Sequence, residues 1–283
     1  MKNTKNIIIS GKHTKPILID TFYEQNAKKK PIVIFAHGFK GYKDWGCWNL
    51  VAEKFAKQNM FFIKFNFSHN GGTIEQPLDF PDLEAFGNNN FIKELDDLQS
   101  VIDWILSEKS IKNEIDTTNI TLIGHSRGGG IVTLKANEDN RITKIITWAG
   151  VSDFEARFPK KDILDVWKKQ GVSFIENSRT KQQMPLYYQF YENFSKNKHR
   201  LHIQSAVNKL KIPYLIIHGM NDTTVLIEEA KNLNSWNSKS ELHLLNGANH
   251  TFSTTHPWGE NVLPAHLQTV VEKSIVFVNN PHI

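Results

Sequence analysis

One serine in this chain has the neighbours that nucleophilic catalysis asks for. The segment Gly124-His125-Ser126-Arg127-Gly128 stands between a short apolar, β-branched run and a stretch that reads as a helix. A serine hydroxyl is too weakly acidic to attack a carbonyl by itself. It needs a neutral imidazole in hydrogen-bond reach, and that imidazole needs a carboxylate to fix its tautomer and stabilise its cation. A tight strand-to-helix reversal lifts the hydroxyl out of the sheet, and glycines two residues to either side leave room for the turn. A phosphate cradle would occupy the same kind of turn, but neither G-x-G-x-x-G nor G-x-x-x-x-G-K-[ST] is present here.

Two later loops offer the partners. Gly219-Met220-Asn221-Asp222-Thr223-Thr224-Val225 places Asp222 just past an apolar run, and Gly247-Ala248-Asn249-His250-Thr251-Phe252 places His250 just past the next. Asp222 also suits a turn or helix cap before residues 226–236, and Asp153, beyond the run at 142–148, is a rival carboxylate. Of the other histidines, His37, His125 and His218 fall at run ends and could orient loops or pack. His69, His199, His202 and His256 lack an acid partner at the expected spacing. Tetrahedral attack also creates an oxyanion, which two backbone N–H groups in a water-poor cleft can hold. The N–H of Arg127, at the start of the helix after Ser126, is one; the N–H of Phe39, in His37-Gly38-Phe39-Lys40-Gly41, is the expected second. A plain strand-to-helix turn would need those glycines too.

Holding such loops at one rim is the work of a parallel sheet. The apolar runs are short, β-branched and separated by helical patterns, which predicts an α/β fold: a mostly parallel sheet with helices on both faces. Strands are expected at 7–10 and 17–22, as an antiparallel edge pair, then at 32–36, 61–67, 120–123, 142–148, 212–218 and 241–245. Helices are expected at 45–58, 91–107, directly after Ser126, at 226–236 and at 262–279. Residues 68–90 read as a polar loop. Residues 151–205 hold helix-like segments and nine aromatics but no run that continues the sheet, so they read as a small lid inserted into a single domain spanning 1–283.

Composition narrows the class. With 283 residues, 40% hydrophobic and 22% charged, the chain has globular composition. Its one cysteine, Cys47, permits no internal disulfide and argues against a cysteine-based zinc site. The net charge of +5 is spread along the chain, which argues against nucleic acid as a partner. Residues 151–205 nonetheless carry ten Lys and Arg against six Asp and Glu. The early apolar run, 7–9, is shorter than a secretory signal's and no run is long enough to cross a membrane, so a soluble, cytoplasmic protein is expected.

Taken in register, HGFKG, GHSRGG, HGMNDTTV and GANHTF resemble the α/β-hydrolase superfamily. Within it the chain is similar to the cytosolic feruloyl (cinnamoyl) esterases, to dienelactone-hydrolase-like proteins and to the catalytic domains of prolyl oligopeptidase-type peptidases. Feruloyl esterases often have Gln where Arg127 stands and Val-Pro where Val225-Leu226 stands, and dienelactone hydrolases use Cys where this chain has Ser126. The resemblance implies the α/β-hydrolase fold and a serine hydrolase acting on a small-molecule ester, with Ser126, Asp222 and His250 as triad, Phe39 and Arg127 as oxyanion donors, and no metal or other cofactor. A small, medium or aromatic acyl group is expected. Candidate substrate contacts are His37, Trp167, Tyr187 and Trp258, the last placed either to wall the pocket or to pack the final helix. An aminopeptidase, amidase or thioesterase of the same fold, or a non-catalytic binding module, are the alternatives.

Overall fold

The computed structural model describes residues 1–177 and 179–280. Among these residues ten strands are formed: β1 (Lys2–Ile9), β2 (Ile17–Tyr23), β3 (Lys30–Ala36), β4 (Phe61–Asn66), β5 (Ile115–His125), β6 (Lys144–Trp148), β7 (Val172–Glu176), β8 (Gln183–Tyr187), β9 (Tyr214–Gly219) and β10 (Glu241–Leu245). Eight of them make one sheet in the order β1-β2-β4-β3-β5-β6-β9-β10, while β7 and β8 form a separate hairpin. Pairing is antiparallel for β1 with β2 and β2 with β4, and parallel throughout the rest. This is the mostly parallel sheet of the α/β-hydrolase fold.

Alternation along the strands sends side chains to two cores. Ile32, Ile34 and Ile63 face one of them, together with α3 (Phe91–Ser107), α4 (Arg127–Glu138) and α8 (Ile227–Trp236). Val33, Phe35 and Phe62 face the other, where α1 (Trp48–Lys57) and α9 (Ala265–Asn279) pack. Helices therefore cover both faces, as buried parallel strands require.

Several expectations need correction. Of the supposed edge pair, only β1 is an edge; β2 is buried along its whole length between β1 and β4. It can be interior because its Asp20 is neutralised there: Lys43 Nζ donates to Asp20 Oδ2 at 2.9 Å and Lys64 Nζ at 2.6 Å. Asp44 bonds both ammonium groups as well, so two carboxylates meet two ammonium groups, and such burial is tolerable only when the charges are paired. Lys43 also lies in the loop after β3, and its N–H donates to Asn66 Oδ1 at 2.6 Å, so the same cluster pins that loop to the sheet. The loop at 68–90 contains a short helix, α2 (Leu83–Gly87), capped by Asp82 Oδ1 on the Ala85 N–H at 2.9 Å. Helix α1 starts at Trp48 rather than 45, and α9 starts at Ala265, after Pro264.

The insertion at 151–205 lies between β6 and β9 and contains α5 (Lys161–Gln170), the β7–β8 hairpin, α6 (Gln189–Lys196) and the start of α7 (Ile203–Lys209). The hairpin was not expected, since β8 reads Gln-Met-Pro-Leu-Tyr. Pro185 is tolerated because each strand of a two-stranded ribbon has a free edge, where a missing N–H costs no ladder bond.

Candidate active site

The turn from β5 into α4 is pressed against the end of β3. A Cβ on Gly124 would lie 2.2 Å from the Gly128 carbonyl oxygen, and one on Gly128 would lie 2.4 Å from that of Ala36. Only glycine fits either place. Ser126 itself has φ 56° and ψ −119°, which a residue with a side chain keeps only when its surroundings hold it. They do: its N–H donates to the Trp148 carbonyl at 2.9 Å, and its carbonyl accepts from Gly129 at 2.9 Å and Val151 at 3.2 Å.

Ser126 and His250 line the same cavity, of about 720 Å³. His250 is held from behind, with its Nδ1 2.7 Å from Asp222 Oδ2. An ionised carboxylate only accepts, so Nδ1 is the donor in this bond and Nε2 is turned away from Asp222. Among the described residues neither Ser126 Oγ nor His250 Nε2 has a hydrogen-bond partner, so both are free toward that cavity; bonds of this kind tighten when substrate binds. Asp222 is buried, and its Oδ1 accepts the N–H groups of Thr224 at 2.8 Å and Val225 at 2.9 Å. Burial opposes its ionisation, but the bond from His250 and the two backbone donors outweigh it and hold the carboxyl below its ordinary range. The turn role foreseen for Asp222 and its contact with His250 thus coexist, one on each oxygen. Asp153 is exposed, and its Oδ1 accepts the Glu155 N–H at 2.7 Å, closing a local turn.

Phe39 and Arg127 also line the cavity, and neither backbone N–H has an acceptor among the described residues. Gly38 brings the first loop close, since a Cβ there would lie 2.9 Å from that of Ser126. His37 lines the cavity as well. Its Nδ1 donates to the Gly38 carbonyl at 2.8 Å, and burial lowers its pKa to about 4.

Three of the expected substrate contacts lie outside this cavity. Trp167 packs in the insertion, its indole N–H donating to the Leu186 carbonyl at 2.7 Å. The Tyr187 hydroxyl bonds Glu84 and its ring covers Gly87, tying the hairpin to α2. Trp258 donates to the Val262 carbonyl at 3.1 Å and packs against the core under α9, the second of the two roles considered for it. Size and polarity suited all three to a pocket, but each indole or phenol found its acceptor elsewhere.

Of the residues given no catalytic role in the sequence, His125 takes the loop-orienting place foreseen for it, and His256 and Tyr42 were passed over. His125 lies against His250, ring centroids 4.8 Å apart, and its Nε2 donates to the His250 carbonyl at 2.9 Å. Burial lowers its pKa to about 3, so it steadies that loop without adding charge. His256, set aside for want of an acid, takes the Gly46 N–H on Nδ1 at 2.9 Å and offers Nε2 to the Tyr42 hydroxyl at 2.7 Å. Tyr42 therefore accepts from His256, and both residues line the cavity. No aspect of spacing announces a histidine whose partner is a phenol 214 residues away. Among the described residues no group of three or more His, Cys, Asp or Glu is arranged to hold a metal ion, and no helix is long and apolar enough to cross a membrane.

Comparison with known proteins agrees with this architecture. A Mycoplasma genitalium protein named "Putative esterase/lipase 2" is 26% identical over 183 residues, 63% of this chain and 60% of its own length. The Bacillus subtilis "Uncharacterized peptidase YtmA" is 25% identical over 166 residues, 58% of this chain and 57% of its own. The chain thus spans about 60% of the length of these curated relatives. Est1E from Butyrivibrio proteoclasticus, in a structure with ferulic acid bound, superposes with a TM-score of 0.70 at 18% identity, covering 96% of this chain and 97% of that one. A family model described as BD-FAE matches residues 19–237. With more than half its length matched, and with the sheet, elbow and loop order described above, this chain belongs to the BD-FAE family of the α/β-hydrolase superfamily.

Proposed function

We propose that the chain is a serine hydrolase that cleaves carboxylic esters through an acyl-enzyme, with Ser126 as nucleophile, His250 as general base and Asp222 as its orienting acid. His250 Nε2 takes the Ser126 proton as Oγ attacks the ester carbonyl. The backbone N–H groups of Phe39 and Arg127 hold the oxyanion, and the His250 cation protonates the leaving alcohol. Water, activated by the same imidazole, then releases the acid. The observation that carries this reading is the 2.7 Å bond between His250 Nδ1 and Asp222 Oδ2, on a loop that turns His250 toward the cavity lined by Ser126.

Family membership and the relative named an esterase/lipase support ester hydrolysis. Phe80, Phe91, Phe154, Phe158 and Phe190 line the cavity, which suits a medium-length or aromatic acyl group, and Est1E binds ferulic acid. The relative named a peptidase keeps amide cleavage as the second reading. A fluorophosphonate probe should label the wild-type chain and fail on Ser126→Ala, with loss of turnover of a short aryl ester by several orders of magnitude. Equal labelling of the two chains would reject the nucleophile. Faster cleavage of aminoacyl amides than of aryl esters would favour the peptidase.

A further inference from the structure

The cavity beside Ser126 is electrostatically one-sided. Lys40, Arg127, Arg157 and Arg179 line it, from four separate segments of chain, and no aspartate or glutamate does. The carboxylates that answer three of these cations are not among the residues lining the cavity. Arg127 Nη1 is 3.3 Å from Glu94 Oε1, Arg179 Nη2 is 3.2 Å from Asp79 Oδ1, and Arg157 pairs with Glu229, none of them lining residues. Each pair therefore presents its positive end to the cavity. Lys40 has no carboxylate within reach among the described residues, its Nζ donating only to the Glu176 carbonyl at 3.3 Å.

Arg127 is the most telling of the four. Its guanidinium lies 3.9 Å from the centre of the Phe39 ring and faces Phe91 and Phe190 at 5.1 and 5.2 Å, which fixes its plane in an aromatic floor next to the nucleophile. Of its five N–H donors only one bond, the one to Glu94, is made among the described residues. Converging cations repel one another, and the low-dielectric walls of a cleft strengthen their joint field. Such an arrangement is costly when the occupant is neutral and favourable when it is an anion.

We infer that the substrate is an ester carrying a second, free carboxylate, which Arg127, Lys40 and Arg179 receive while the scissile carbonyl lies at Ser126. This rests on the hydrolase reading above and adds the substrate's charge to it. Arg127 offers a planar fork matched to a carboxylate, Lys40 a point charge on a flexible stem, and Arg179, in the β7–β8 turn, a further cation on the cavity wall. The uncharged esters that share an acyl length with such a substrate fill the same aromatic walls but leave Lys40 without an answering charge and the remaining N–H groups of Arg127 without an acceptor.

Two matched pairs of esters test it. One pair is the mono-p-nitrophenyl ester of glutaric acid and its methyl-capped diester; the other is the acetate ester of para-hydroxybenzoic acid and that of its methyl ester. The anionic member of at least one pair should be preferred by about tenfold or more in kcat/KM, mainly through KM, and the preference should shrink as salt is raised. In the Lys40→Gln/Arg179→Gln double variant the ratio within the preferred pair should shrink at least threefold, the remainder belonging to Arg127, while Lys28→Gln, on an exposed loop, should leave it unchanged. Parity in both pairs, preference for the capped esters, or a preference undiminished in the double variant would overturn the inference. Turnover of capped esters without discrimination sinks only the charge assignment, whereas no turnover of any ester together with no fluorophosphonate labelling sinks the hydrolase reading beneath it.

Discussion

At the elbow, backbone packs on backbone: Gly128 lies under the Ala36 carbonyl, and Ser126 is bonded through both its N–H and its C=O. In the insertion, side chains do the holding. Helix α5 buries only Trp167, β7 is intermediate to exposed along its length, and what anchors the segment is an aromatic cluster, with Phe154 stacked on Phe91 of α3 at 3.9 Å and Phe158 against Phe190 and Phe194 at 5.1 and 4.9 Å. The first arrangement has almost no freedom, because carbonyls of a parallel sheet cannot move independently. The second can be repacked by changing a few rings. Under the proposed function, chemistry that must stay fixed and selectivity that must vary would thus be carried by parts of the molecule with different stiffness.

This contrast can be broken in graded steps. Asp222→Asn should lower kcat by roughly four orders of magnitude with the fold unchanged, because the amide favours the wrong imidazole tautomer. A loss below tenfold would mean that His250 does not depend on it. Gly128→Ala should cost roughly 3 kcal/mol in urea unfolding, since the new methyl meets backbone that cannot yield; near-neutral stability would show the elbow to be softer than described. Trp167→Ala should cost about 3 kcal/mol locally and raise KM several-fold, yet leave fluorophosphonate labelling of Ser126 in place. Loss of labelling would show that the two regions are not separable.

Acid should act next. His37 and His125 are buried neutral with pKa lowered to about 4 and about 3 from 6.5, so below pH 6.5 the unfolded chain binds protons that the folded chain refuses. Their contribution is complete above that pH and is lost as pH falls toward those values, about 1 to 2 kcal/mol for each by pH 5. Asp97 works the other way, since burial raises its pKa to about 7 from 3.8, so its penalty is relieved on acidification. Urea midpoints at pH 7 and pH 5 should therefore fall less in His125→Asn than in the wild type; equal falls would contradict the assignment. The smallest effect belongs to Asp153→Asn, which should leave kcat/KM within about threefold because that carboxylate only closes a turn.

Much of the scaffold was legible in the chain itself. All eight strands of the main sheet were anticipated, the interior ones because strands buried on both faces read as continuous apolar runs, and α3 was bounded correctly at both ends by its periodicity; the structure adds Asn90 as its cap. Asp222 and His250 were paired by their places after successive runs, and the structure gives that pair its hydrogen bond. The side-chain partners were not legible. Trp167, Tyr187 and Trp258 were assigned to the pocket by type, whereas Tyr42, His256 and Arg179 reach it through contacts between distant segments that no local pattern encodes. The β7–β8 hairpin was hidden for another reason, having a proline mid-strand and no fully buried face.

A crystal structure of the wild-type chain after reaction with an alkyl p-nitrophenyl phosphonate addresses the central claim most directly. The account predicts phosphorus bonded to Ser126 Oγ, the phosphoryl oxygen about 3 Å from the N–H groups of both Phe39 and Arg127, and His250 Nε2 about 3 Å from Oγ or the alkoxy oxygen. An adduct on another residue, or one on Ser126 whose oxygen points away from both donors with His250 turned aside, would contradict it.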